Sequence, residues 1–417
     1  MTTSARPSGR RPLEGVRILA IEQMQAVPFA TQLMAHLGAD VVKIEHPTMG
    51  DSGRGSQPAV TDVDGRQVGA TYLRNNLGKR CVGIDLKHPE GRDLIRRLVP
   101  RFDVVVENFK SGTLDRLGLG YDDLAPLRPG LVFASVSGFG NLTESPYSSW
   151  PAYAPIVEAM SGIYEYRRQG ETPPTMAPVG ALGDTASGLF MIIGILSALR
   201  RRDETGEGGR VDIAMFDVMV SMADVVPNFW SLGEPTNTGN PANGVISGFR
   251  ARDGWFVVQA VREHQIEKFC EAIGHAEWIG DPRFQQRSDW NKHLEDVIRP
   301  AVNEWAAGKS KHEAAAILAA AGIAAGPSNT AEDLVADPHV RDHHMLIAMP
   351  RPDGGEPVLT SGNPIKIAGV PETEMGRWPV LGEHTDEVLR AELGLDDARL
   401  ARLRDAGAIS APVTTPA

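Results

Sequence analysis

The chain has 417 residues, 42% of them hydrophobic and 23% charged, the proportions of a folded globular protein long enough for two domains. A formal net charge of −11 excludes the broad basic footprint of a nucleic-acid binder and leaves room for a local gathering of cations around a small anionic ligand. Two cysteines, Cys81 and Cys270, are too few for a disulfide framework and lie in no metal-ligand spacing, so a reducing cytoplasm is expected and a metal is not.

Met1 to Arg11 carries three arginines with no apolar stretch behind them and reads as a disordered arm, with Ala411 to Ala417 as its counterpart. No apolar run reaches the length of a membrane span, so no membrane partner is expected. Val16 to Glu22 is a short apolar run, followed by a helical pattern from Phe29 to Leu37 and a β-rich run, Val41 to Glu45. That is a βαβ unit with its turn at Gln23 to Pro28. The alternation goes on with helical patterns at Gly91 to Val99 and Asp122 to Leu127, and strands at Val104 to Glu107 and Leu131 to Val136. Strands separated by helices imply a parallel sheet covered on both faces.

Asn141 to Pro155 and Gly170 to Pro178 are loops, since the apolar helical run Leu189 to Leu199 follows directly. Arg210 to Met222 reads as a strand turning into a helix, and the Pro/Asn/Gly-rich crossing Pro227 to Gly244 marks a domain boundary. Beyond it, Val245 to Asn329 has a strand pair turning at Asp253-Gly254 and an alanine-rich helix at Ala314 to Ala321, a small α+β domain. Thr385 to Leu393 and Asp397 to Ala406 close the chain as helices. The expected division is a large discontinuous domain over 1–226 and 331–417, a linker at 227–244 and a small domain over 245–330.

Glu45 ends the second strand where dinucleotide-binding folds hold ribose hydroxyls, yet the first turn, Gln23-Met24-Gln25-Ala26-Val27-Pro28, has no glycine. Without G-x-G-x-x-G the backbone cannot approach a pyrophosphate closely, which argues against a nicotinamide or flavin enzyme. An anionic ligand has other candidates: Arg54, Arg74, Lys79, Arg80, Lys110 and Arg116 follow glycine turns or strand ends, and guanidinium or ammonium groups there suit phosphate oxygens. Scattered solvated charge is the alternative.

The hexapeptide Gly183-Asp184-Thr185-Ala186-Ser187-Gly188 heads the long apolar helix. An aspartate at a helix start ordinarily caps orphan N–H groups, but its small neighbours also clear the approach to the carboxylate. Tyr147, Trp150 and Tyr153 precede this element and either shape a pocket or belong to the core. His343 and His344 are adjacent in the chain and read as surface residues, since neighbours in an extended segment point apart. His384 reads as a packing residue at a helix start.

Seven segments in order resemble the class III CoA-transferases: Pro12 to Val16, Leu37 to Glu45, Asn76 to Arg80, Asp103 to Phe109, Gly183 to Gly188, Asp337 to Val340 and Gly382 to Thr385. The resemblance spans nearly the whole chain. It implies a Rossmann-like large domain, an interlocked homodimer, no tightly bound cofactor, and acyl-CoA and carboxylic acids as substrates. Asp184 matches the covalent nucleophile of the G-D-x-x-x-G element, which forms an acyl anhydride and then a CoA thioester. Gln25 and Ala26 match residues at the thiol end of CoA, and Lys79, Asn108, Phe109 and Arg116 match the adenosine and phosphate end; His46 stands where relatives carry an arginine, and Arg54 and Asn76 complete the expected CoA site.

Two departures narrow the activity. Racemases of the family pair the aspartate with a histidine, whereas the aligned residues are Ala152-Tyr153-Ala154; without that imidazole a two-base racemase is disfavoured. The formyl-CoA branch carries consecutive glycines where this chain has Gly239-Asn240-Pro241-Ala242-Asn243-Gly244, so oxalate specificity is not supported. The expectation is an acyl-CoA:carboxylate CoA-transferase; the alternatives are an acyl-CoA racemase or epimerase using another second base, and a CoA-binding protein without catalysis.

Overall fold

Short aliphatic strands alternating with helices bury their surface most completely as one parallel sheet between two helical layers. The computed structural model of the chain describes residues 9–166, 168, 170–176, 180–233 and 244–412. They divide into two compact units, Met1–Glu234 with His344–Ala417, and Pro235–His343. Residues 1–8 and 413–417 of the expected arms, and 234–243 of the expected linker, lie outside the described residues.

The main sheet of the larger unit has six strands: β1 (Arg17–Ile21), β2 (Asp40–Glu45), β3 (Arg80–Gly83), β4 (Val104–Glu107), β5 (Val132–Ser137) and β6 (Gly209–Ala214). All pairs are parallel and the order is β3-β2-β1-β4-β5-β6, the doubly wound order whose connections reverse between β1 and β4. Alternate residues feed opposite cores. Ile18, Ala20, Val104 and Val106 pack with α1 (Ala26–His36) and α4 (Leu182–Thr205), while Leu19, Ile21, Val105 and Phe133 pack with α2 (Pro89–Leu98) and the helices Thr385–Leu393 and Asp397–Asp405. Each fully buried Leu or Ile stabilises the fold by roughly 1.5–3 kcal/mol, and burial on both faces is why these strands read as continuous apolar runs.

The outer edge of β3 is closed by His384: Cys81 N–H donates to its Nδ1 at 3.1 Å, and its own N–H donates to the Cys81 carbonyl at 2.9 Å. An open strand edge is thereby covered. At 24 residues α4 is long and apolar enough to cross a membrane by length and composition, more than the sequence run Leu189 to Leu199 suggested. Met191, Ile192, Ile195 and Leu199 nevertheless lie buried in the core beside α1.

The smaller unit has a three-stranded antiparallel sheet in which Gly254–Ala260 pairs with Val245–Ala251 on one side and Ala324–Pro327 on the other. Phe249, Phe256, Phe269, Trp278 and Trp290 fill its core. The helices Ala331–Ala336 and Pro338–Asp342 go with this unit and not with a return segment starting at 331. Lys311 on the helix Lys311–Ala320 ties them there, donating to the Ser328 carbonyl at 3.1 Å and to the Asp333 carboxylate.

Candidate active site

Where the sheet reverses, a cavity of about 340 Å³ opens at the carboxyl ends of β1, β4 and β5. Open α/β sheets bind ligands at this point, because neighbouring loops diverge there. Gln25 and Ala26 reach it from the turn after β1, Asn108 and Phe109 from the turn after β4, and Asp184 from the first turn of α4.

The turn after β1 is held from two sides. The Asn108 side chain donates to the Gln23 carbonyl at 2.8 Å and accepts the Gln23 N–H at 3.0 Å, clasping the ends of β1 and β4. Asp51 Oδ1 accepts the Met24 N–H at 2.8 Å, fixing Met24 in a left-handed conformation with φ of 61°, which costs a residue bearing a Cβ about 1–2 kcal/mol. Arg74 donates to Gln25 Oε1 at 2.6 Å.

Asp184 sits in the cavity with no hydrogen bond to its carboxylate among the described residues. It does not cap its helix. The N-cap position is Ala181, in a left-handed conformation with φ of 61° and no capping side chain. The N–H of Gly183 is taken by Glu158 Oε1 at 2.8 Å, from α3 (Ala154–Met160). Burial, and then the negative charge of Glu158, push Asp184 up to about 6, with Arg74 opposing. The small residues around it serve packing rather than access: Gly183, Ala186, Ser187 and Gly188 are all buried, and a Cβ on Gly188 would stand 2.7 Å from the Ala26 carbonyl oxygen of α1.

Five of the expected site residues lie away from the cavity. Lys79 is buried in an internal network, donating to Glu22 at 2.7 Å, to the Pro28 carbonyl at 2.9 Å and to Asn76 Oδ1 at 2.9 Å. Burial pushes its ammonium down to about 8 against the pull of Glu22. Asn76 spends its amide N–H on the Tyr72 carbonyl. Glu22 also meets Lys43, which pairs with Asp51 at 2.7 Å. Arg54 is equally committed: it pairs with Glu45 at 2.8 Å, donates to Tyr72 Oη at 2.6 Å and to the Pro379 carbonyl at 3.0 Å, and lies over the Tyr72 ring. Burial would raise Glu45, but Arg54 and Lys43 hold it down to about 2. His46 Nδ1 accepts N–H groups of Thr48 and Met49 in its own turn. Arg116 is exposed beside Thr113.

Residues beyond the expected CoA site also reach the cavity or its support, among them Trp150 and Tyr153, read from the sequence as pocket or core, and Lys110, read as a candidate for an anionic ligand. Ala152 and Tyr153, the pair aligned with the racemase histidine element, line it, as do Trp150 and Lys110. Glu158 supports it from beneath. An acid inside the otherwise apolar helix Ala154–Met160 was the only signal for it in the sequence.

A doubly wound sheet with an uncommitted carboxylate at its switch point defines an α/β protein with a candidate nucleophile in a ligand crevice. Residues 13–385 match CoA-transferase family III, and the chain belongs to that family. It is 33% identical over 432 aligned residues to the formyl-CoA:oxalate CoA-transferase of Rhodopseudomonas palustris (strain BisA53), with 96% of this chain and 98% of that one covered. It is 35% identical over 383 residues to the succinyl-CoA:mesaconate CoA-transferase of Haloarcula hispanica, with 90% and 95% covered. Among solved structures it resembles a CAIB/BAIF family protein from Brucella suis with a TM-score of 0.80 and 33% identity, over 92% of this chain and 99% of that one. The chain is therefore an enzyme that moves CoA between carboxylic acids. Residues 239–243, in the stretch from which oxalate specificity was judged, lie outside the described residues.

Proposed function

We propose that CoA passes between acids through Asp184. A carboxylate oxygen of Asp184 attacks the acyl carbon of the donor acyl-CoA, the C–S bond breaks, and CoA thiolate leaves a mixed anhydride. The thiolate then attacks the aspartyl carbon of that anhydride, releasing the donor carboxylate and leaving an aspartyl-CoA thioester. An acceptor carboxylate attacks the same carbon and expels thiolate. The thiolate finally attacks the acceptor's acyl carbon in the new anhydride, releasing the new acyl-CoA and the free Asp184 carboxylate. No proton is consumed and water is kept from the anhydrides.

The observation that supports this reading is the Asp184 carboxylate in the cavity, with no hydrogen bond among the described residues, on a helix start held by Glu158. Gln25 and Ala26 would face the thiol end of CoA, and Asn108 and Phe109 its adenosine and phosphate end. Since Lys79 and Arg54 are internally paired, Arg116 and the cavity-lining Lys110 are the cations left for the phosphate end. An interlocked homodimer belongs to the same proposal: Leu189, Ile193 and Leu196 leave one stripe of α4 exposed, which a second copy would cover. Two buried, unpaired cysteines suit a reducing cytoplasm.

The test is chemical trapping. Incubation with a panel of acyl-CoAs, a borohydride or hydroxylamine quench and peptide mass spectrometry should place the modification on Asp184. CoA transfer at the wild-type rate by Asp184→Asn would refute the proposal.

A further inference from the structure

Glu158 is a carboxylate 2% exposed that no cation pairs in the described structure. Its Oε1 accepts the Gly183 N–H at 2.8 Å and its Oε2 accepts the Tyr164 hydroxyl proton. A helix start leaves orphan N–H groups that the side chain of the N-cap residue ordinarily takes. Here the N-cap is Ala181, which has no such side chain, and the orphan N–H of Gly183, one residue before Asp184, goes to a side chain from another helix. The left-handed Ala181 at the entry to α4 means that this turn is not held by local geometry alone.

Taking Asp184 as the nucleophile, as proposed above, we infer that Glu158 is its positioning residue: by taking the Gly183 N–H that Ala181 at the N-cap has no side chain to take, Glu158 holds the turn that presents Asp184 to the acyl carbon. The arrangement has a second consequence. The groups around Asp184 are Glu158 on α3, which disfavours its charged form, and Arg74, held by Gln25, which favours it. Burial first, and then this nearby acid, make Asp184 a stronger base than a solvent-exposed aspartate, and basicity raises the intrinsic reactivity of a carboxylate once it is ionised. Tyr164, donating to the other oxygen, fixes the orientation in which Glu158 meets Gly183.

Three variants separate the parts. Glu158→Gln keeps an oxygen acceptor for the Gly183 N–H but drops the charge; Glu158→Ala drops both; Asp184→Asn tests the underlying reaction. For Glu158→Gln, the plateau kcat should stay within about threefold of wild type, while the acidic limb of the kcat profile moves below pH 6. For Glu158→Ala, kcat per folded molecule should fall roughly 10- to 100-fold with KM for acyl-CoA little changed, as when a reacting group is misplaced by about an ångström. Trapping of the Asp184 adduct should slow in the same proportion. The inference is overturned if Glu158→Ala keeps the wild-type kcat per folded molecule, or if Glu158→Gln leaves the acidic limb where it was. Full activity in Asp184→Asn would instead sink the nucleophile reading itself.

Discussion

Replacing Asp184 by asparagine should stabilise the protein while abolishing turnover. The carboxyl lies at about 6 against an ordinary 3.8, because burial and Glu158 disfavour its charged form. At about 1.4 kcal/mol for each tenfold change, that displacement corresponds to about 3 kcal/mol held against the folded state at neutral pH. Contact with cavity water reduces the figure to about 2 kcal/mol. The sign follows from proton binding: between 3.8 and about 6 the folded state binds the proton that the unfolded state has released. The cost of the charged aspartate is therefore fully present above pH 6 and vanishes as the pH falls below the ordinary carboxyl range. Urea denaturation of wild type and Asp184→Asn at pH 8 should show the variant more stable by about 2 kcal/mol, and the gap should close toward pH 4. A variant less stable than wild type at pH 8, or a gap that does not change with pH, would mean that Asp184 holds the helix start after all.

Two further substitutions probe the support of the site. Lys79→Met leaves Glu22 with a single, longer pairing to Lys43 in a buried pocket and should cost about 3–5 kcal/mol in urea denaturation. KM for acyl-CoA in the surviving folded fraction should stay near wild type, and a large rise in KM at unchanged stability would return Lys79 to the phosphate site. Gly188→Val places a Cβ 2.7 Å from the Ala26 carbonyl and 3.0 Å from the Phe29 ring. Forcing α1 and α4 apart should cost about 1–3 kcal/mol and lower kcat, and unaltered melting and kcat together would contradict the close helix contact.

Much of the sheet was legible because its strands are buried on both faces, so aliphatic runs mark them without any need for alternation. The strand that escaped, β3, is four residues led by Arg80 and closed by Gly83. The glycine is needed because a side chain there would meet Ser410 at 2.5 Å, a contact more than three hundred residues away in the chain. The cavity-lining residues Gln25, Ala26, Asn108 and Phe109 were reached through the resemblance to the class III CoA-transferases, and the topology accounts for them: they follow strands β1 and β4, and in a doubly wound sheet those positions face the crevice. The buried cations were not. Whether Lys79 meets a phosphate or an internal acid depends on Glu22, which in the sequence is only the last residue of an apolar run.

Local sequence cannot show whether a carboxylate has been given a cation, and in this molecule that distinction separates framework from site. Glu22 and Glu45 are buried but lie against Lys79, Lys43 and Arg54, and the pairing lowers both below the ordinary carboxylate value. Glu107, at the end of β4, makes no ion pair among the described residues, and burial pushes it up to about 8 although the Phe109 N–H and, more weakly, Arg210 oppose. Asp184 belongs with Glu107: desolvated, beside another acid and with Arg74 as its opposing cation. The paired acids tether the turn after β1. The unpaired ones carry basicity, and of Glu107 and Asp184 it is Asp184 that lines the cavity, the placement that the proposed reaction at Asp184 requires.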